Sequence, residues 1–219
     1  MVSRIDLESR RLTVIYGFIE SKVKDINQRI NMKASFYRYM IAAFAAASMA
    51  VAGMASAQVD AAKSTITATS KQMNVPVEGK FKKFDAKLSF DPAKPSAGSA
   101  QLTVDVGSYD LGDDSYNEQV RGKEWFDTKT YPKATFMSSS IAPAGGNKFN
   151  VTGTLTIKGK SQPVAFPMTV AQQAGGQTFD GALPISRLKF DVGTGEWKDT
   201  STVADVVTIK FHIVVPKKS

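Results

Sequence analysis

Strict alternation of apolar and polar residues is the feature that most constrains this chain. In FNVTGTLTIK (149–158) every second residue is apolar or glycine, and PVAFPMTV (163–170) and VVTIKFHIVV (206–215) repeat the pattern. Successive side chains of a strand point to opposite faces, so this period predicts strands with one buried face. Shorter segments with the same alternation are AKLSF (86–90), QLTVDV (101–106) and FDGALPI (179–185), and 64–70 and 133–141 are less regular.

Short turn sequences separate these runs, as in PAGGN (143–147), KGKSQ (158–162) and AGGQ (174–177). Connections this short join antiparallel neighbours. About eight strands, each with one apolar face, must then bury that face without help from a long amphipathic helix. The sequence therefore predicts an all-β domain, either two packed sheets or one sheet closed into a barrel.

One segment between strands is typical of a short helix. DDSYNEQVRGKEWF (113–126) begins with two acids, which stabilise the N-terminus of a helix through its dipole. Val120, Trp125 and Phe126 are expected to point toward the sheet. The segment is therefore interpreted as a helical crossover that aromatic side chains anchor.

The formal charge of +8 is spread too thinly to indicate a nucleic-acid partner. Residues 1–57 hold eight Lys/Arg and four Asp/Glu, and residues 58–219 hold twenty and sixteen. Near 121–136 the basic residues flank acids and form no stripe. A nucleic-acid footprint needs clustered basic residues on one face, so we expect no nucleic-acid binding.

The residues that catalysis or metal binding would need are scarce. The chain has no cysteine and one histidine, which excludes disulfides, thiolate metal sites and cysteine nucleophiles. His212 alternates with Phe211 and Ile213, and such a histidine is expected to face outward or to be satisfied by a neighbour. We therefore expect neither an enzyme nor a covalent cofactor nor a metal site.

Residues 32–57 read as a secretory signal peptide. Lys33 and Arg38 precede an uncharged stretch, and Ala55-Ser56-Ala57 fits the small-residue cleavage pattern. A membrane anchor is the weaker alternative, because the stretch is rich in alanine and ends in a cleavage pattern rather than in basic residues. The expected mature protein is exported to the periplasm after cleavage behind Ala57.

Residues 1–31 carry mixed charges that a signal peptide does not normally have before its basic start. Our hypothesis is that translation starts at Met32 and that 1–31 is a mis-annotated extension. A small cytoplasmic helix over 12–30 is the alternative. Residues 58–219 then form the folded domain.

Five blocks of that domain resemble the YceI family of exported polyisoprenoid-binding proteins, in the same order along the chain. They are GKFKKFDAKLSFDPAKP (79–95), LTVDVGSYD (102–110), VRGKEWFDTKTYPKATF (120–136), VTGTLTIKGKSQPV (151–164) and GTGEWKDTSTVADVVTIKF (193–211). Many relatives carry an Arg-Asp pair shortly before the arginine that matches Arg121. Tyr116 and Asn117 stand there in this chain, so the head-group preference is expected to differ.

The resemblance implies an eight-stranded antiparallel lipocalin-like barrel with short helical crossovers. Such a barrel would hold a long isoprenoid chain, either a polyprenyl phosphate or a quinone tail, without a covalent cofactor. Arg121 and Lys123 are the head-group candidates. The apolar pore candidates are Leu88, Phe90, Leu102, Val104, Phe136, Leu155, Ile157, Phe166, Met168, Ile209 and Phe211.

Two other functions stay open at this point. The first is a quinone holder that exchanges electrons with a membrane cytochrome. The second is a stress-induced structural protein whose pore is filled by its own side chains. Monomer and homodimer both remain open as well.

The start at Met32 can be tested directly. We expect N-terminal sequencing of the precursor, expressed with export blocked, to begin at Met32. A precursor that begins at Met1 contradicts the hypothesis.

Overall fold

A computed structural model of the chain describes residues 57–217. The predicted extension (1–31) and all but Ala57 of the predicted signal peptide (32–57) lie outside the described residues. Along the described part, no helix has both the length and the apolar character needed to cross a bilayer.

Eleven strands, β1 to β11, and one α-helix, α1, form the regular structure of this part. Their bounds are β1 Ala57–Gln58, β2 Thr65–Gln72, β3 Val75–Phe81, β4 Phe84–Ser89, β5 Ser99–Asp105, β6 Tyr109–Asp110, α1 Asp114–Arg121, β7 Lys133–Pro143, β8 Lys148–Ile157, β9 Lys160–Gln173, β10 Gly176–Ser186 and β11 Val206–Pro216. Short 3-10 helices cover Pro95–Ala97, Val106–Ser108, Arg187–Phe190 and Gly195–Lys198.

All strand pairs are antiparallel, in the order β1-β4-β5-β7-β8-β9-β10-β11-β2-β3-β6. β3 and β4 are one bent strand, because only two residues separate them, and β5 and β6 are joined by a single 3-10 turn. The bent strand pairs with β2 and β6 through β3 and with β5 through β4. The sheet thus closes on itself with eight long strands, and the barrel prediction is confirmed over the sandwich.

Tyr109 stabilises the seam of the barrel, where the interrupted strand β5–β6 pairs through β6 with β3 of the bent strand β3–β4. Its hydroxyl donates to the carbonyl oxygen of Ala68 at 3.0 Å, and its ring lies 4.6 Å from that of Phe81. The ring also covers Gly79 so closely that a Cβ there would overlap it. Burial raises the pKa of Tyr109 to about 12, which agrees with a neutral phenol packed inside the barrel wall.

Three phenylalanines fill one end of the barrel. Phe90 packs edge-on against Phe149 and Phe179, with ring centroids 5.0 and 5.7 Å apart. Phe149 and Phe179 are 4% and 1% exposed. This end, where β4, β9 and β11 finish, is sealed by aromatic packing.

The predicted helical crossover lies at the other end, as α1 and the loop after it. The Asp113 carboxylate caps α1 by accepting from the main-chain N–H groups of Ser115 and Tyr116. The helix ends at Arg121, short of Phe126, and the remaining crossover is irregular. Asn117 is buried, donates to Asp110 and accepts from the N–H of Leu111, so it fixes the start of the crossover.

Adding a side chain at the seam should destabilise the barrel. We expect Gly79→Ala to displace the Tyr109 ring and to lower the free energy of unfolding by about 1–3 kcal/mol. Gly175→Ala is the matched control, since a Cβ there meets nothing within 4 Å. Urea denaturation measures both, and equal stability of the two variants would contradict the proposed role of the seam.

Candidate functional site

The barrel encloses an apolar cavity of about 130 Å³, the inner chamber. Of the described residues in its wall, Gln101 and Thr135 are polar and the others are apolar. Ten of the eleven predicted pore residues line it: Leu88, Leu102, Val104, Phe136, Leu155, Ile157, Phe166, Met168, Ile209 and Phe211. The eleventh, Phe90, instead seals the far end of the barrel.

Glycines keep the inner chamber open by letting aromatic rings lie flat against the wall. The Phe136 ring rests on Gly153 and the Phe211 ring on Gly181, so closely that a Cβ at either glycine would overlap the ring. Phe166 lies between the two rings, 5.5 Å from each. The wall is therefore aromatic, yet the rings leave space along the axis.

A second cavity of about 340 Å³, the outer chamber, lies at the end of the barrel that α1 covers. Its wall includes the end of β2, the start of β11, α1 and the 3-10 segments after β10. Phe81, Phe126, Ile157 and Ile209 line both chambers. The two chambers therefore adjoin at these four side chains, with the inner chamber the deeper.

Arg187 organises the roof of the outer chamber and was not among the sequence candidates. It is 2% exposed, although it lines the chamber wall. Its N–H groups donate at 2.6–3.1 Å to five carbonyl oxygens, those of Val192, Gly193, Trp197, Val203 and Ala204. Because a guanidinium has five N–H donors, this set uses all of them.

Within residues 57–217, no carboxylate forms a direct ion pair with Arg187. Burial lowers the pKa of its guanidinium below the ordinary value, and the negative charge of Asp205 partly offsets this. The guanidinium also lies 5.8 Å from the centre of the Trp125 ring, at a distance typical of a cation–π contact. The sequence around Arg187, PISRLKF (184–190), does not mark this role, because Ser186 and a second cation, Lys189, interrupt its apolar residues.

Both tryptophans of the chain line the outer chamber. The rings of Trp125 and Trp197 are 5.5 Å apart and tilted by 50°. Within residues 57–217, Trp125 Nε1 is the one buried side-chain nitrogen or oxygen without a hydrogen-bond partner. The two rings form an aromatic wall next to the Arg187 roof.

The two head-group candidates lie outside the chambers. Arg121 donates through Nε to the carbonyl oxygen of Gly107 at 3.0 Å. Lys123 is exposed, and its carbonyl oxygen accepts from Nζ of Lys158 at 2.7 Å. Neither residue is part of the lining of either chamber.

The outer chamber is lined by neutral polar side chains instead of the cations Arg121 and Lys123. Ser70 and Gln72 come from the end of β2, and Tyr116 and Gln119 come from α1. Tyr116, one of the two positions where the chain departs from the resembled family, is therefore in the chamber wall.

His212 has a partner but no access to the chambers. Its Nδ1 lies 2.6 Å from Oδ1 of Asp180 on the facing strand, and neither residue lines a chamber. Along residues 57–217, no three His, Asp or Glu side chains come together in a way that could hold a metal ion.

Comparison with known proteins agrees with this architecture. The model of the YceI-like domain matches residues 58–215. The chain belongs to the YceI family.

Solved YceI-like structures share the fold. BcnA of Burkholderia cenocepacia is 69% identical with a TM-score of 0.71, over 72% of this chain and 99% of that one. A YceI protein of Campylobacter jejuni is 26% identical with a TM-score of 0.58, over 65% and 86% of the two chains. A polyisoprenoid binding domain from Saccharophagus degradans is 21% identical with a TM-score of 0.61, over 74% and 99%, and shows the fold alone.

Curated relatives match a shorter region. A UPF0312 protein of Vibrio cholerae is 33% identical over 88 residues, which is 40% of this chain and 47% of that protein. A UPF0312 protein of Shewanella oneidensis is 35% identical over 89 residues, 41% and 47% of the two chains. The chain thus spans about half the length of these curated relatives.

Removal of the buried guanidinium should loosen the roof of the outer chamber. Arg187→Met leaves five carbonyl oxygens without their donors, and we expect the free energy of unfolding to fall by about 3 kcal/mol. Lys189→Met is the control, because Lys189 is an exposed cation in the same 3-10 helix. Denaturant unfolding should separate the variants, and similar losses would contradict the organising role of Arg187.

Proposed function

We propose that this YceI-family domain is an exported binding protein that holds a long isoprenoid chain in its two adjoining chambers. The observation that carries the proposal is an inner chamber with an almost wholly apolar wall, joined to a larger outer chamber. The relative from Saccharophagus degradans is described as a polyisoprenoid binding domain, which supports the same class of ligand here.

The energetics favour a hydrocarbon tail in the inner chamber. Transfer of apolar surface out of water contributes roughly 25 cal/mol per Å², before the cost of ordering the chain. An engineered apolar cavity of about 150 Å³ holds benzene, so the inner chamber has room for about one isoprene unit. A longer chain must therefore extend through the junction into the outer chamber. Met168 in the wall is flexible enough to follow a branched chain.

Binding without catalysis fits the distribution of reactive groups. The chambers are lined by apolar and neutral polar side chains, and Arg187 is engaged with main-chain carbonyls. The His212–Asp180 pair faces away from them. These placements support a carrier or storage role for the bound chain.

Export to the periplasm is part of the proposal. It is supported by the signal-peptide pattern before Gln58 and by a chain without cysteine, which does not depend on the redox state of its compartment.

A bulkier residue at the junction should weaken binding of a long tail. We expect Ile209→Phe to reduce the affinity for the C20 alcohol geranylgeraniol about tenfold, which corresponds to the loss of roughly 50 Å² of apolar burial. Tryptophan fluorescence measures this directly, because Trp125 and Trp197 both line the outer chamber.

Val206→Phe is the matched control, since Val206 lies on the same strand, is 59% exposed and is outside both linings. The affinities of the two variants for geraniol, which has a C10 chain, should differ less than their affinities for geranylgeraniol. Failure of the unmodified protein to bind any C20 isoprenoid saturably would overturn the proposed function.

A further inference from the structure

We infer that the outer chamber accepts an uncharged head group that carries oxygen, such as an alcohol, phenol or quinone, and disfavours a phosphate. This inference rests on the proposed function and narrows its ligand class. The deciding feature is the chemistry of the polar groups in the chamber wall.

No described residue of the chamber wall offers a free cation. Among the described residues that line the two chambers, Arg187 is the one with a charged side chain. All five of its N–H donors are taken by carbonyl oxygens. A phosphate next to it would lose water without gaining the charge-assisted hydrogen bonds that arginine normally supplies.

The field of Arg187 is also partly cancelled. Asp205 is held close by, with its Oδ1 accepting from Ser186 Oγ at 2.9 Å and from the N–H of Leu188 at 3.0 Å. Its negative charge acts on the guanidinium. An anion in the outer chamber therefore meets a positive charge that the nearby Asp205 partly offsets.

Neutral donors and acceptors are available instead. The side chains of Ser70, Gln72, Tyr116 and Gln119 line the outer chamber, and in the described part of the chain none of them is engaged in a hydrogen bond. Hydroxyl and amide groups can donate to a carbonyl and can both donate to and accept from an alcohol. They match the polarity of an uncharged oxygen, which is cheaper to dehydrate than a phosphate.

The aromatic wall fits the same class of head group. Trp125 and Trp197 present neighbouring rings, against which a flat ring or the first isoprene unit can pack. Arg121 and Lys123, which could have bound a phosphate, belong to the lining of neither chamber.

The test compares C20 probes that differ in the head group: geranylgeraniol, geranylgeranyl phosphate and the hydrocarbon phytane. Tryptophan fluorescence titrations give each dissociation constant. We expect the purified protein to bind geranylgeraniol about tenfold more tightly than geranylgeranyl phosphate. Equal or tighter binding of the phosphate overturns the inference.

Two variants assign the preference to the chamber wall. Tyr116→Phe removes a hydroxyl and should weaken geranylgeraniol about threefold, as expected for one exposed hydrogen bond, without weakening phytane. Gln119→Lys places a cation in the wall of the outer chamber and should tighten binding of geranylgeranyl phosphate about fivefold. Tyr131→Phe is the control, because Tyr131 is partly exposed and lies outside both linings.

The outcomes separate this inference from the proposed function. If no C20 probe binds, the proposed function itself is overturned. If phytane and geranylgeraniol bind but Tyr116→Phe and Gln119→Lys change nothing relative to Tyr131→Phe, tail binding stands and the head-group inference fails. A further probe, a benzoquinone with the same C20 chain, distinguishes a quinone head group from an alcohol, because a quinone only accepts hydrogen bonds. Tighter binding of this probe than of geranylgeraniol indicates a quinone as the natural head group. Weaker binding indicates an alcohol.

Discussion

Closure of the sheet is the constraint on which the rest of the structure depends. An eleven-strand order becomes a barrel only because the bent β3–β4 strand pairs with β2 on one side and with β5 and β6 on the other. The bend falls at Lys82-Lys83, where the N–H of Lys82 and the carbonyl oxygen of Lys83 bond across to Ser108 and Asp105. Closure satisfies the strand edges and turns one face of every strand into the wall of a chamber.

The alternating sequence was sufficient to predict which face of each strand is buried, because the period of a strand leaves no freedom once one residue is assigned. It was not sufficient to separate barrel from sandwich, since both bury one face. The decision depends on the bend at Lys82-Lys83, where two exposed lysines carry no signal of their own. The family resemblance supplied that decision, and the strand pairing confirms it.

The sequence predicted which strand residues face the inner chamber, apart from Phe90, but it did not predict the loop residues of the outer chamber. Residues such as Leu155 and Phe166 line the chamber because their position in the alternation fixes their direction. Phe90 shares the alternation but lies at the strand end, where the barrel is closed by packing. The role of Arg187 could not be predicted from the sequence, because its partners are main-chain carbonyl oxygens. Every residue has a carbonyl oxygen, so no sequence motif marks these partners. The role of Arg187 depends only on how the segments after β10 fold around it.

The phenylalanine cluster at the far end has a consequence for how a ligand would enter and leave the barrel. Because Phe90, Phe149 and Phe179 pack together at the far end, a ligand of the proposed kind would enter and leave at the end that α1 covers, with its tail first on entry and last on exit. The molecule that delivers such a ligand and the molecule that receives it would then have to bind one after the other at the same end of the barrel, the end that α1 covers.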